Sequence, residues 1–401
     1  MRETFIVLRD LGRTRTAAPF EERAGFGEPG PVSLPHVEVA ELTKQDLAGL
    51  RRDPAVAALA PPMPTVLPEG PEATAAPLPE SEAGAPVTWG VKAVGAPQSS
   101  RTGAGTLVAV LDTGIDATHP AFTGMTLTEQ DFTGDGPGDK NGHGTHCAGT
   151  IFGRTTEGMR IGVAPGVERA LVGKVLGDDG KGSTTGIVQG LVWALEHGAD
   201  LITMSIGVDF FRYWRTLADE QDLPEFLAMS RALQAYRATL RMYDALMRMA
   251  ASQAATGPGT VVLAANGNAS HRELDPDFEV GPELPAAAEG VLGVAAVRRK
   301  QSGVLAVADF SNTFAQISGP GVDVVSARAG GGLTSKSGTS MAAPHVAGVT
   351  ALWWEELRAR ADGGARAAAV TGALLMNATD KVFDDNADEE DLGAGLAQAP
   401  R

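Results

Sequence analysis

Residues 106–116 read TLVAVLDTGID: an apolar run that stops at an aspartate. Thr106–Leu111 is apolar on both faces and too short for an ordinary helix, so it reads as a strand buried on both sides. Arg169–Leu176, Asp200–Ser205, Thr260–Ala265 and Val291–Val297 have the same character. Helical stretches near His143–Phe152, Ser183–His197 and Pro224–Ala255 lie between several of them. Strands of this kind alternating with helices predict an α/β fold, a mostly parallel sheet covered by helices. In such sheets the ligand crevice lies at the carboxyl ends of the strands, which is where Asp112 falls.

Toward the N-terminus the pattern changes. Phe5–Arg9 and His36–Leu42 read as strands, with loop over Asp10–Pro35. Thr43 is placed to cap a helix running to about Arg52, and Ala55–Leu59 reads as a third strand. Residues 1–60 are thus expected to form a small α+β domain, marginal alone by its size. Nine prolines between Pro61 and Pro97 predict an extended strap, and 61–86 is read as a linker. The large α/β domain is expected over 87–401.

Composition removes several classes of function. The chain of 401 residues carries 33 Lys+Arg against 49 Asp+Glu, a net charge of −16, which opposes nucleic acid and anionic membranes as partners. Its single cysteine excludes an intrachain disulfide framework and a multi-cysteine zinc site. No apolar run is long enough to span a bilayer. The first residues, MRETFIVLRD, lack the pattern of a signal peptide, so a cytoplasmic location is expected; secretion remains the alternative for a chain shorn of its signal.

Two further segments put polar side chains at helix starts. NGHGTHCAGT holds His143 between glycines, and SGTSMAAPHVAG holds Ser340. Singly, each is ordinary: strand-end aspartates form turns and serines cap helices. In the order Asp, His, Ser, with these flanks, the three blocks resemble those of the subtilases, the subtilisin-like serine proteases. The resemblance runs from about Trp89 to the end. It implies a three-layer α/β/α subtilisin-like fold and an endopeptidase with Asp112, His143 and Ser340 as catalytic triad. A serine hydroxyl needs an adjacent base; an imidazole can take its proton and return it near neutral pH. The carboxylate would hold the imidazole in the right tautomer.

The resemblance also selects Asn268, in ANGNAS, as oxyanion donor, and leaves Asn266 as a turn residue beside the site. It places substrate against Ser205, Ile206 and Gly207 on one wall and Ala265, Asn266 and Gly267 on the other, as an added strand. Ala269, where some relatives carry a charge, suggests an apolar preference in that pocket. Cys147 is expected to be a buried thiol beneath His143, and His146 and His345 to be structural.

Three departures stand out. The family's strong calcium site needs an acid after His119-Pro120, where Ala121 stands, and an Asn where spacing puts Thr156. Calcium needs several oxygen ligands, so that site is expected to be lost; calcium elsewhere is the alternative kept open, and no metal ligand is assigned. Asp131, Asp135 and Asp139, and Asp380, Asp384, Asp385 and Asp388, read as solvated acidic loops. Second, about 208–240 is a helical insertion. Phe226, Met229, Leu233, Tyr236, Leu240, Tyr243, Met247 and Ala250 form one apolar stripe, which either continues a core helix or, in its N-terminal half, overhangs the cleft or docks a partner or second copy. Third, HVEVAELTKQDLAGLRRDPAVAAL resembles the inhibitory propeptide, so the N-terminal domain is expected to be an intramolecular inhibitor and the chain a zymogen. Met63, Leu67 and Leu78 are each followed by proline, which predicts slow self-cleavage, or cleavage at small residues in Thr74–Ala85. The rival is a catalytically silent subtilase fold that holds peptides or a partner.

Overall fold

The computed structural model describes residues 2–10, 35–68, 76–254, 257–360, 364–383 and 387–401. The N-terminal domain is a three-stranded antiparallel sheet in the order β2-β1-β3, from β1 (Glu3–Asp10), β2 (Pro35–Leu42) and β3 (Val56–Ala60). One helix, α1 (Lys44–Leu50), follows β2; the Thr43 hydroxyl accepts from the Asp46 N–H and the Asp46 carboxylate accepts from the Thr43 N–H, a reciprocal cap. The expected loop over Asp10–Pro35 lies mostly outside the described residues. Ile6, Leu8 and Ala60 do not close a core of their own. They join Leu191, Tyr243 and Leu246 of the large domain in one apolar cluster, which offsets the small area a 60-residue unit buries alone.

The strap is not merely a linker. Pro64–Val66 forms β4, the middle strand of a three-stranded sheet between β10 (Gly207–Val208) and β8 (Lys181–Ser183), antiparallel to both. Proline density hid this strand. Pro64 costs the ladder no bond here, because its carbonyl is the group used, accepting from the Asp209 N–H at 2.9 Å.

After α2 (Trp89–Ala93), the central sheet takes up β5 (Leu107–Asp112), β6 (Thr126–Asp131), β7 (Arg169–Lys174), β9 (Leu201–Met204), β11 (Val261–Ala265) and β12 (Leu292–Arg299). Its order is β12-β11-β9-β5-β7-β6, all parallel, with β13 (Leu305–Val307) antiparallel and β14 (Ile317–Pro320) parallel on β12. Strand alternation splits the core in two. Val108 and Val110 of β5 face the cluster containing α3 (His143–Phe152) and α7 (Thr339–Arg360); Ala109 and Leu111 face the cluster containing α4 (Thr184–Glu196) and α6 (Glu225–Gln253). The result is the parallel sheet covered by helices that the strand–helix alternation predicted, in the three-layer α/β/α arrangement that the resemblance implied. β6 was missed: TLTEQD is polar, and as an edge strand it needs no doubly apolar pattern.

The insertion becomes α5 (Phe210–Arg215), a π-helical turn over Thr216–Glu220, and the first half of α6. The expected stripe holds for Tyr243, Met247 and Ala250, which are buried, and for Tyr236 and Leu240, half-buried against the same cluster, but not farther up: Phe226 is 88 % and Leu233 48 % exposed. There the buried face is Ala228, Ala232, Ala235 and Thr239. Small residues let α6 pack closely on Leu217 and the aromatic residues of α5, which turns the larger side chains away.

Candidate active site

Asp112 ends β5, and α3 starts opposite it. Its cap, Gly142, sits at φ 87°, a left-handed conformation in which a side chain would be strained. Asp139 supplies the acceptors that the α3 start needs: its carboxylate takes the Gly142 N–H at 2.7 Å, the Thr145 N–H at 2.8 Å and the Thr145 hydroxyl. Asp139 also accepts from Thr113, whose hydroxyl accepts from the Gly144 N–H. This network fixes His143 against Asp112: His143 Nδ1 lies 2.8 Å from Asp112 Oδ1, which also accepts from the Thr113 N–H. Buried Lys174 holds the same turn, donating to the carbonyls of Thr113 and Gly138 and to Asp178. Sequence reading passed over Lys174 and took Asp139 for part of a solvated acidic loop; it is instead buried, because the backbone and hydroxyl donors at the start of α3 hold its carboxylate inside.

Ser340 lies in the first turn of α7, a helix buried from Thr339 to Trp354. Cys147 links it to the histidine. The Cys147 thiol is 3.8 Å from His143 Nδ1 and donates to the Ser340 carbonyl at 3.3 Å, and Ser205 Oγ donates to the same carbonyl at 3.1 Å. Ser340 Oγ has no hydrogen-bond partner among the described residues. Asp112, His143 and Cys147 have potential ligand atoms within 4.8 Å of one another. Burial and the neighbouring Asp112, however, push the Cys147 thiol well above its ordinary range, which disfavours the thiolate a metal would need.

Asn268 and Asn266 separate cleanly. Asn268 Oδ1 accepts from the Thr339 N–H and hydroxyl at 2.9 and 2.7 Å, which aims Nδ2 into the cleft. Asn266 Nδ2 donates instead to the carbonyls of Asn312 and Thr313, so this side chain ties the wall to the 312–313 loop. Of the other wall residues, Gly207 pairs with Val66, and Ser205 and Ile206 precede it. Ala265 ends β11, and Gly267 donates to Thr339 Oγ1 at 3.3 Å.

The strap runs between β10, at the first of these walls, and β8, and its end reaches Asn268, next to the second. Leu67 N–H donates to the Gly180 carbonyl at 3.1 Å, Pro68 is buried, and the Pro68 carbonyl accepts from Asn268 Nδ2 at 3.2 Å. The carbonyl resting on the side-chain amide is thus that of Pro68, not of Met63, Leu67 or Leu78.

His146 and His345 are buried and bonded to backbone carbonyls. His146 Nε2 meets the Val324 carbonyl, and His345 Nδ1 the Met341 carbonyl. Burial lowers both, His345 to about 4. Ala121 offers no side-chain oxygen, and the Thr156 hydroxyl is bonded to the Arg154 carbonyl; a hard cation finds no oxygen cage in that pair. Asp131, Asp135 and Asp139 do not converge. Asp131 accepts from Thr133, Gly134 and Gly136, and Asp135 from the Asp178 N–H. Asp388 caps a C-terminal helical turn, while Asp384 and Asp385 lie outside the described residues.

A serine on a buried helix, beside an imidazole steered by a carboxylate, is the equipment of a serine hydrolase, and a groove that accepts an added strand suits peptides. Comparison with known proteins narrows that class: the model of the subtilase family matches residues 103–395, and the chain belongs to that family. It is a subtilisin-like serine protease. It is 34 % identical over 273 residues to an intracellular serine protease of Paenibacillus polymyxa, covering 66 % of this chain and 71 % of that one. A thermostable alkaline protease of Halalkalibacterium halodurans is 34 % identical over 318 residues, 78 % of this chain and 71 % of the relative. Subtilisin BL of Lederbergia lenta is 35 % identical over 275 residues, 66 % and 83 %. Among the described residues no helix is long and apolar enough to cross a membrane.

Proposed function

We propose that the chain is a serine endopeptidase made in a self-inhibited form, with its own strap as the inhibitor. In this reading His143 takes the Ser340 proton as Oγ attacks the substrate carbonyl, and later returns it to the leaving amine. Asp112 holds the tautomer that leaves Nε2 free to act, and Asn268 Nδ2 with the Ser340 N–H receives the oxyanion. Ser340 Oγ, unbonded while the strap is seated, would engage His143 once a substrate aligns the pair. The observation that carries the reading is the Pro68 carbonyl on Asn268 Nδ2, at the end of a strand laid between β10 and β8.

Pro68 also accounts for inhibition rather than turnover. It has no N–H to donate to the wall, and its ring restricts φ, so the Pro68–Glu69 bond is presented poorly. The N-terminal sheet, packed on the α4 and α6 side of the core, anchors the strap. Cleavage within Thr74–Ala85 remains an alternative for release. The family's strong calcium site is not used, for want of donors at Ala121 and Thr156. A cytoplasmic location is supported by the single buried cysteine and by the intracellular relative.

A serine-directed phosphonate tests the reading. Labelling at Ser340 is expected once the strap leaves, and Ser340→Ala is expected to lower turnover by about 10⁶. Absence of labelling and turnover would favour a silent, peptide-binding subtilase fold.

A further inference from the structure

Glu283 stands where the two substrate walls meet. Its backbone N–H donates to the Asn266 carbonyl at 3.0 Å, which fixes it beside β11. Its carboxylate reaches back between two glycines. A Cβ on Gly207 would strike Glu283 Oε2, and a Cβ on Gly267 would lie 2.9 Å from its Cδ. Gly207 pairs with Val66, two residues before Pro68, and Gly267 directly precedes Asn268. The acid therefore lies against both surfaces that flank the residue whose carbonyl reaches Asn268.

We propose that Glu283 makes this pocket selective for lysine or arginine as the residue preceding the scissile bond. The proposal rests on the reading of Asn268 and Ser340 given above. A half-buried carboxylate next to apolar walls calls for a cation, and among the described residues Glu283 has no hydrogen bond or ion pair through its side chain. The charged and titratable groups facing it are Asp209, at the start of α5, and Tyr236, on α6; neither neutralises it. Burial first, then Asp209, pushes the Glu283 carboxyl up to about 7, a cost that a bound ammonium or guanidinium would relieve. Both wall glycines leave room for the carboxylate. Selectivity for a cation replaces the apolar preference that Ala269 suggested for this same pocket: the charge comes from Glu283, a residue distant in sequence, between Gly207 and Gly267. Pro68 carries no cation, so the strap occupies the groove without pairing this acid.

Two measurements test the proposal, the first on the protein once its strap has left the groove and the second on the full chain. In the first, coumaryl amides copying Thr65–Leu67 and ending in Lys or Leu are compared. The Lys/Leu ratio of kcat/KM is expected to exceed about tenfold, and Glu283→Gln to lower that ratio by about tenfold or more. A ratio near or below one, or one that Glu283→Gln leaves unchanged, overturns the proposal. The second needs no turnover and so survives failure of the protease reading. With Ser340→Ala throughout, Pro68→Lys is expected to melt higher than Pro68→Met, and Glu283→Gln to abolish the difference. Equal melting of the two with Glu283 intact overturns it. Loss of turnover and of phosphonate labelling at Ser340, with the melting difference present, would instead overturn the catalytic roles and leave the pocket standing.

Discussion

Asn268 donates through Nδ2 to the carbonyl oxygen of Pro68, 200 residues earlier in the chain, at 3.2 Å. The amide is not free to turn away, because Thr339 donates twice to its Oδ1. A donor locked by the residue before Ser340 is preorganised, and its target is at present the chain's own backbone.

Pro68→Ala restores an N–H and frees φ at the seated residue. One added hydrogen bond of about 0.5–1.5 kcal/mol in the transition state corresponds to about 2–10-fold faster self-cleavage after residue 68. Intact mass against time reads the rate. Unchanged kinetics would mean that this bond is not the one presented to Ser340.

Asn268→Ala is expected to lower kcat for a peptide substrate by about 10²–10³ while KM changes little, because the donor acts on charge that develops in the transition state. Stability should fall as well, since the Thr339 hydroxyl and N–H lose a buried acceptor. A melting curve alongside the kinetics separates the two effects.

Glu283 gives a pH-dependent stability whose sign is fixed. Its folded carboxyl is raised from an ordinary 4.5 to about 7, so the folded state holds the proton after the unfolded chain has released it. Stability from this group is therefore full below pH 4.5 and is lost as pH rises to about 7. Glu283→Gln should raise the melting temperature at pH 8 and have little effect at pH 4, the gain opening between the two. A pH-independent difference would mean that Asp209 and burial do not act on this carboxyl as described.

Removing calcium with EDTA should leave the melting temperature of the full chain where it is. A resident ion at 100 times its Kd would contribute about 2.7 kcal/mol, a shift well within detection. A clear fall would show that the chain assembles a calcium cage from donors other than Ala121 and Thr156.

The sheet was legible because β5, β7, β9, β11 and β12 are buried on both faces, and such strands must be apolar throughout. The edge strand β6 escaped for the converse reason. In α6, periodicity foretold Tyr243 and Met247 but misplaced the upper face, since only the neighbour decides whether Ala232 or Leu233 is covered. Glu283 carries no sequence signal: PELP reads as any turn, and its meaning comes from Gly207 and Gly267, distant in sequence and adjacent in space.

By itself, then, the sequence determined the layered α/β architecture and the three polar blocks, because strand burial and helix starts are set by residues close together along the chain. Tertiary structure alone decided that the proline-rich strap is a strand, that Pro68 is the residue seated on Asn268, and that a carboxylate waits between the walls. Each of these is a meeting of segments far apart in the chain. Backbone pairing, which any residue with a free carbonyl can join, leaves no mark in the composition of the strap.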